Sequence, residues 1–126
     1  ENKLLFGSGS WNVGAEGKKA VVEVGKVLAS NPEISVLIEG HTDNVAYNGS
    51  GQINDNWDLS TKRATAIVHI LRENKGVDPK NLTAAGRSEV APIAENSNAE
   101  GRSKNRRIEI ILTPKLDELN KMLNEI

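Results

Sequence analysis

A chain of 126 residues with a formal net charge of −1 has the size of one domain, since domains run about 100–150 residues, and it carries no global field toward nucleic acid or anionic lipid. Its aromatics are Phe6, Trp11, Tyr47 and Trp57, too few for a base-stacking platform. It has no cysteine, which excludes disulfides, thiol catalysis and thiolate metal sites without fixing a compartment.

In chain order, Lys3-Leu4-Leu5-Phe6 reads as a short strand closed by Gly7-Ser8-Gly9-Ser10. From about Ala15 to Ser30, the residues Ala20, Val21, Val24, Val27 and Leu28 form one helical face. Asn31-Pro32 ends it, because the residue before proline avoids the helical region. A second strand spans Ser35 to Glu39, and Gly40 to Asp55 is a long polar loop. A second helix starts near Asn56 or Asp58 and runs to about Lys75, with Gly76 as its C-terminal cap. Asp78-Pro79 makes a turn, Leu82 to Ala85 a short strand, and Gly86 to Lys104 reads as mostly loop. Arg106 to Leu112, with Ile108, Ile110 and Ile111, carries the strongest strand signal.

Pro114 divides the chain into a domain (1–114) and a tail (115–126), where Leu116, Leu119, Leu123 and Ile126 recur at helical spacing. Asp117, Glu118 and Glu125 argue for a helix docked on the domain or on a partner rather than on anionic lipid. No run reaches the roughly 20 apolar residues of a membrane span, so this piece should not insert into a membrane. No signal peptide precedes Glu1, so the expectation is a cytosolic protein or a piece of a longer one. The order β-α-β-α-β-β plus a terminal helix predicts the α/β class, a two-layer sandwich with helices packed on a mixed sheet.

Arg63 is the anomaly. With Leu59 at 0° on a helical wheel, Arg63 falls at about 40°, inside the apolar face. A fixed charge there needs a partner or an exit to solvent. It either snorkels off the helix or pairs internally, or else the face opens into an anion pocket. Asp43, closing Gly40-His41-Thr42-Asp43, either caps a turn through its side chain or faces a ligand. A strand-loop-helix unit places both residues at one edge of the sheet, next to the unpaired N–H groups of the helix start. An acid and an arginine there suit a ligand carrying an ammonium and a carboxylate, and binding such a ligand needs no reaction.

Other patterns are weaker. Gly7-Ser8-Gly9-Ser10 lacks the dinucleotide fingerprint, and Gly17-Lys18-Lys19 lacks the Walker pattern; a turn offering N–H groups to a ligand remains. His41 with Asp43 could begin a metal or acid–base site, but no third ligand follows at metal spacing and His69 faces the polar side of its helix. No nucleophile elbow is present, so neither an enzyme nor a cofactor is expected. Arg102, Lys104, Arg106 and Arg107 form a basic run. The balanced net charge makes it a solvated or anion-facing patch rather than a nucleic-acid site.

The strand-turn Ile38 to Asp43, the helix start Asn56-Trp57-Asp58-Leu59-Ser60-Thr61-Lys62-Arg63-Ala64, and the final strand Asn105 to Ile110, with Gly86-Arg87 between, together resemble the OmpA-like peptidoglycan-binding domain. That family includes C-terminal domains of outer-membrane porin-type proteins, peptidoglycan-associated lipoproteins and flagellar stator subunits. The resemblance runs from about Lys3 to Thr113. It implies noncovalent binding of the stem-peptide diaminopimelate, with Asp43, after Thr42, taking the ammonium and Arg63 a carboxylate. It places Asn56 and Leu59 at the site, Arg107 at the entry to the last strand near the pocket, and Ser8, Gly9 and Ser10 as backbone donors. It implies a periplasmic domain of an outer-membrane or envelope-anchored protein. The Asn-Trp-Asp-Leu-Ser variant is similar to the stator branch, in which self-association, as a homodimer or through the terminal helix, is the alternative role. The loop from Asn44 to Asp55 is longer than in many members.

Overall fold

The computed structural model describes residues 6–49, 51–114 and 123–124. The first helix, α1 (Ala15–Ala29), buries Gly17, Val21, Gly25 and Leu28. Val27, expected on the inner face, is 53% exposed. The true stripe is half glycine, which gives no apolar signal, and Gly25 lets the helix approach Leu71 and Asn74.

The central strand, β1 (Ile34–Gly40), turns Val36 and Ile38 into the core at the two-residue period of a strand. It pairs in parallel with β2 (Leu82–Gly86) and antiparallel with β3 (Ile108–Pro114), giving a mixed sheet of order β2-β1-β3. Between them, α2 (Asn56–Leu71) starts at Asp55, whose side chain accepts from the Asp58 N–H, and it buries Leu59, Ala64, Ile67 and Leu71. Such a cap is worth about 1 kcal/mol. α2 packs on β1 and β2, and α1 packs beside α2. His69 is exposed, as its place on the helix predicts.

The segment Gly86 to Lys104 is mostly loop, as expected, but its end forms a short helix that the pattern did not show, α3 (Ala99–Asn105). Asn98 caps α3 by accepting from the Gly101 N–H. Buried Asn105 accepts from the N–H groups of Ile93 and Ala94 and donates to the Ala94 carbonyl. A carboxamide anchors this helix in place of an apolar face, so it left no hydrophobic period to read. The same helix delays the last strand, which begins at Ile108 rather than Arg106.

Of the expected first strand, Lys3 to Leu5 lie outside the described residues, as does the tail from 115 on except 123–124. Phe6 is buried, and its N–H donates to the Arg106 carbonyl. Two glycines then decide how closely sheet and helix meet. A Cβ on Gly40 would overlap the Ser60 carbonyl, and one on Gly86 would overlap the Ser60 and Thr61 side chains. The ends of β1 and β2 therefore run hard against the first turns of α2.

Candidate functional site

Beyond Gly40 the chain leaves the sheet but stays pinned. His41 N–H donates to the Arg107 carbonyl and Thr42 N–H to the Ser88 carbonyl, each at 2.9 Å. Thr42 is buried and its hydroxyl donates to the Asp43 carbonyl at 2.8 Å. This fixes Asp43, only 4% exposed. Its Oδ1 accepts from the Val45 N–H at 3.0 Å, the expected turn-capping bond, and its Oδ2 accepts from Arg106 Nη1 at 2.8 Å.

Arg63 is 0% exposed. It does not snorkel, and among the described residues it pairs directly with no carboxylate. Its guanidinium donates to three backbone carbonyls: Nε to Ser10 at 2.7 Å, Nη1 to His41 at 2.9 Å and Nη2 to Gly7 at 3.0 Å. Its Cζ lies 4.9 Å from the centroid of the Phe6 ring, within cation–π range. Burial pushes its pKa down to about 10, partly opposed by the Asp43 carboxylate, so it is charged at neutral pH. An arginine has five N–H donors; the two that remain have no protein acceptor among the described residues.

Ser8, Gly9, Asp43, Val45, Ala46, Tyr47, Leu59 and Arg63 line one small cavity of about 40 Å³. Five of the residues singled out from sequence thus meet at one point: Ser8, Gly9, Asp43, Leu59 and Arg63. Ser10 contributes its carbonyl to Arg63, and Thr42 lies behind Asp43. The long loop forms the outer wall, with Tyr47 against Gly9, where a Cβ would come within 3.4 Å of the ring. A volume of about 40 Å³ holds little more than one water, whose share of the liquid is about 30 Å³. Asn56 anchors the wall rather than the cavity, donating from Nδ2 to the Val45 carbonyl at 3.1 Å.

The two arginines entering the last strand take opposite directions. Arg107, expected near the pocket, instead donates to Glu109 Oε2 and to the Ala91 carbonyl. Arg106, a member of the basic run, reaches Asp43 and also donates from Nε to the Phe6 carbonyl at 2.6 Å. Alternation along an extended segment says that neighbours face apart, but only the location of Asp43 tells which of the two meets it.

His41 does not pair with Asp43. It is 1% exposed, and its Nε2 lies 2.9 Å from Glu39 Oε1. Burial lowers its pKa, with the nearby Arg107 charge acting in the same direction. Glu39, His41 and Glu109 bring ligand atoms within 4.8 Å of one another. However, Arg107 is bonded to Glu109 and Arg87 Nη1 stands 3.7 Å from Glu39. Guanidiniums already neutralise these carboxylates, which disfavours a cation there.

An acid and an arginine thus share a cavity beyond the end of the central strand, walled by the loop ahead of a helix. The model of the OmpA family matches residues 5–106. The chain belongs to the OmpA family. It is 37% identical to Motility protein B of Bacillus subtilis over 91% of its own length and spans 44% of that relative. Among solved structures, the periplasmic domain of Helicobacter pylori MotB matches with a TM-score of 0.82 at 22% identity, covering 98% of this chain and 78% of that one. The peptidoglycan-associated lipoprotein of Burkholderia pseudomallei matches with a TM-score of 0.75 at 24% identity, covering 87% and 88%. This OmpA-family domain thus has the α/β fold expected, with helices on a mixed sheet.

Proposed function

We propose that this OmpA-family domain is a noncatalytic module that binds peptidoglycan through the diaminopimelate of the stem peptide, holding an envelope protein to the cell wall from the periplasmic side. The observation that carries this reading is the cavity shared by Asp43 and Arg63. Diaminopimelate ends in a carbon bearing an ammonium and a carboxylate. The ammonium goes to Asp43, which Arg106 and the Val45 N–H hold in place, and the carboxylate goes to the two remaining N–H groups of Arg63. With Asp43 negative and Arg63 and Arg106 positive, the cavity has a net charge that favours the anionic end, while Asp43 selects the ammonium. Leu59 offers an apolar wall to the aliphatic stem, and the Ser8–Ser10 turn supplies backbone groups.

The test is co-sedimentation with purified sacculi containing diaminopimelate and with sacculi containing lysine instead. Retention on the first and clear loss on the second is expected, because lysine lacks the second carboxylate. Equal retention on both removes the proposed recognition. The 37% identity to Motility protein B favours a second reading, in which self-association as a stator-type dimer is the main role. Light scattering on this chain with and without residues 115–126 tests it.

A further inference from the structure

The loop that walls the cavity of Asp43 and Arg63 contains the one Asn-Gly pair in the chain, Asn48-Gly49, directly after the Tyr47 that lines the cavity. We infer that Asn48 is a modification site, deamidating without an enzyme to aspartate and isoaspartate, and that the change loosens the grip of the cavity on its ligand. The modification stands on its own chemistry, and its effect on binding rests on the peptidoglycan reading above.

The step needs only water. The Gly49 backbone nitrogen, once its proton is lost to solvent base, attacks Cγ of the Asn48 carboxamide. The N–Cγ bond forms, the Cγ–Nδ2 bond breaks, and Nδ2 leaves as ammonia after taking a proton from solvent. Water then opens the resulting cyclic imide at either carbonyl. Breaking the bond to Cγ gives aspartate. Breaking the bond to the main-chain carbonyl carbon gives isoaspartate, in which the main chain runs through the side-chain carbons. Either way a carboxamide and a water become a carboxylic acid and ammonia, and nothing is oxidised or reduced.

Three observations place this chemistry at Asn48. Asn48 and Gly49 are both exposed, so base and water reach them. Among the described residues, the Gly49 N–H has no acceptor and the Asn48 carboxamide no hydrogen-bond partner. Other asparagines are held: Asn96 Oδ1, ahead of Ser97, accepts from Asn105 Nδ2 at 2.8 Å, and Asn74 Oδ1 accepts from the Gly76 N–H at 2.9 Å. A carboxamide tied in this way is kept from the nitrogen of the next residue. Lastly, Gly49 has a φ of 99°, and a Cβ there would lie 3.2 Å from the Ile53 carbonyl oxygen. The path of the loop therefore favours glycine at this position, and glycine is the residue that leaves the attacking nitrogen unscreened by a side chain. The reactive pair is built into the conformation of the wall.

The product carboxylate is ionised at neutral pH, since aspartate titrates near about 3.9. It adds negative charge beside a cavity in which Arg63 is to receive a carboxylate. Isoaspartate also inserts a methylene into the main chain, about 1.5 Å of extra path. The loop is held on one side at the Val45 carbonyl by Asn56 and on the other at the Asn54 N–H by Asp58. The added length therefore falls on the stretch between them, which keeps Tyr47 against Gly9.

The experiment incubates the wild-type chain and Asn48→Gln at mildly alkaline pH. Peptide mass spectrometry locates converted asparagines, methylation by an isoaspartyl methyltransferase reports isoaspartate, and co-sedimentation with diaminopimelate-containing sacculi reads binding. Asn48 should convert ahead of every other asparagine. Asn48→Gln, whose longer side chain closes the corresponding ring far more slowly, should stay unmodified there and bind like fresh wild type before and after incubation. Aged wild type, and Asn48→Asp made directly, should bind up to about fivefold more weakly, the worth of one exposed charge contact. An intact Asn48 in protein whose Asn74 or Asn96 has converted overturns the site. Protein converted at Asn48 that sediments like fresh protein overturns the effect on the cavity. Conversion at Asn48 in a chain that binds sacculi neither fresh nor aged upholds the modification and removes the peptidoglycan reading.

Discussion

Arg106 Nη1 donates to Asp43 Oδ2 at 2.8 Å, tying the entry to the last strand to the end of the first described one. The two residues are almost buried, and the same guanidinium holds the Phe6 carbonyl. Arg106 is therefore a positioning residue, because it aims the carboxylate that the proposed ligand needs.

Arg106→Ala should weaken retention on sacculi and also destabilise the fold by about 1.5–3 kcal/mol, the worth of a hydrogen bond to a charged group. Asp43→Asn keeps an acceptor for the Val45 N–H and should lower affinity roughly 10- to 100-fold with a smaller loss of stability. Urea denaturation and sacculus binding, measured on both variants, separate the two effects. Unchanged binding by Asp43→Asn would remove Asp43 from the site.

Arg63 requires a different reading from the one its pattern invited. Its loss should cost the fold as well as binding, because three carbonyls depend on this side chain. Each buried acceptor left unpaired costs about 1–3 kcal/mol, so Arg63→Ala should lose at least about 3 kcal/mol. A midpoint of denaturation close to wild type contradicts that expectation.

Gly40→Ala should be among the most damaging single-methyl changes available. The added carbon overlaps the Ser60 carbonyl, and overpacking against backbone costs about 1–3 kcal/mol or more. Because β1 leads into Asp43 and α2 carries Arg63, forcing them apart should also reduce binding in the protein that still folds. A variant with wild-type stability and affinity would show that the sheet and helix tolerate a wider spacing.

His41 sets a pH dependence. Its folded pKa lies below the ordinary 6.5, so the unfolded chain binds its proton more readily. Its contribution to stability is full above about pH 6.5 and is lost as pH falls through the folded pKa. Glu109, held below the usual carboxylate range by the Arg107 hydrogen bond, acts in the same direction at lower pH, below its ordinary 4.5. Chemical denaturation between pH 7.5 and 5 should show falling stability, and His41→Gln should flatten that slope while leaving the lower-pH loss. Parallel curves for the two proteins would assign the slope to another group.

Local pattern was enough for the α/β class, the extents of α1 and α2 within a few residues, and the charged residues that belong near one strand end. Periodicity and caps are local, and Arg63 broke an apolar face visibly enough to be noticed. Packing between distant segments supplied what local pattern does not encode. α3 has no apolar stripe because Asn105 anchors it through its carboxamide. The buried face of α1 runs through Gly17 and Gly25, where the signal is the absence of a side chain. Arg106 and Arg107 are equivalent in composition, and their roles separate only when the fold brings Asp43 to one and Glu109 to the other. Only the packed loop shows that Tyr47 stands over the cavity, since its distance from Gly9 depends on chain segments that are far apart in sequence.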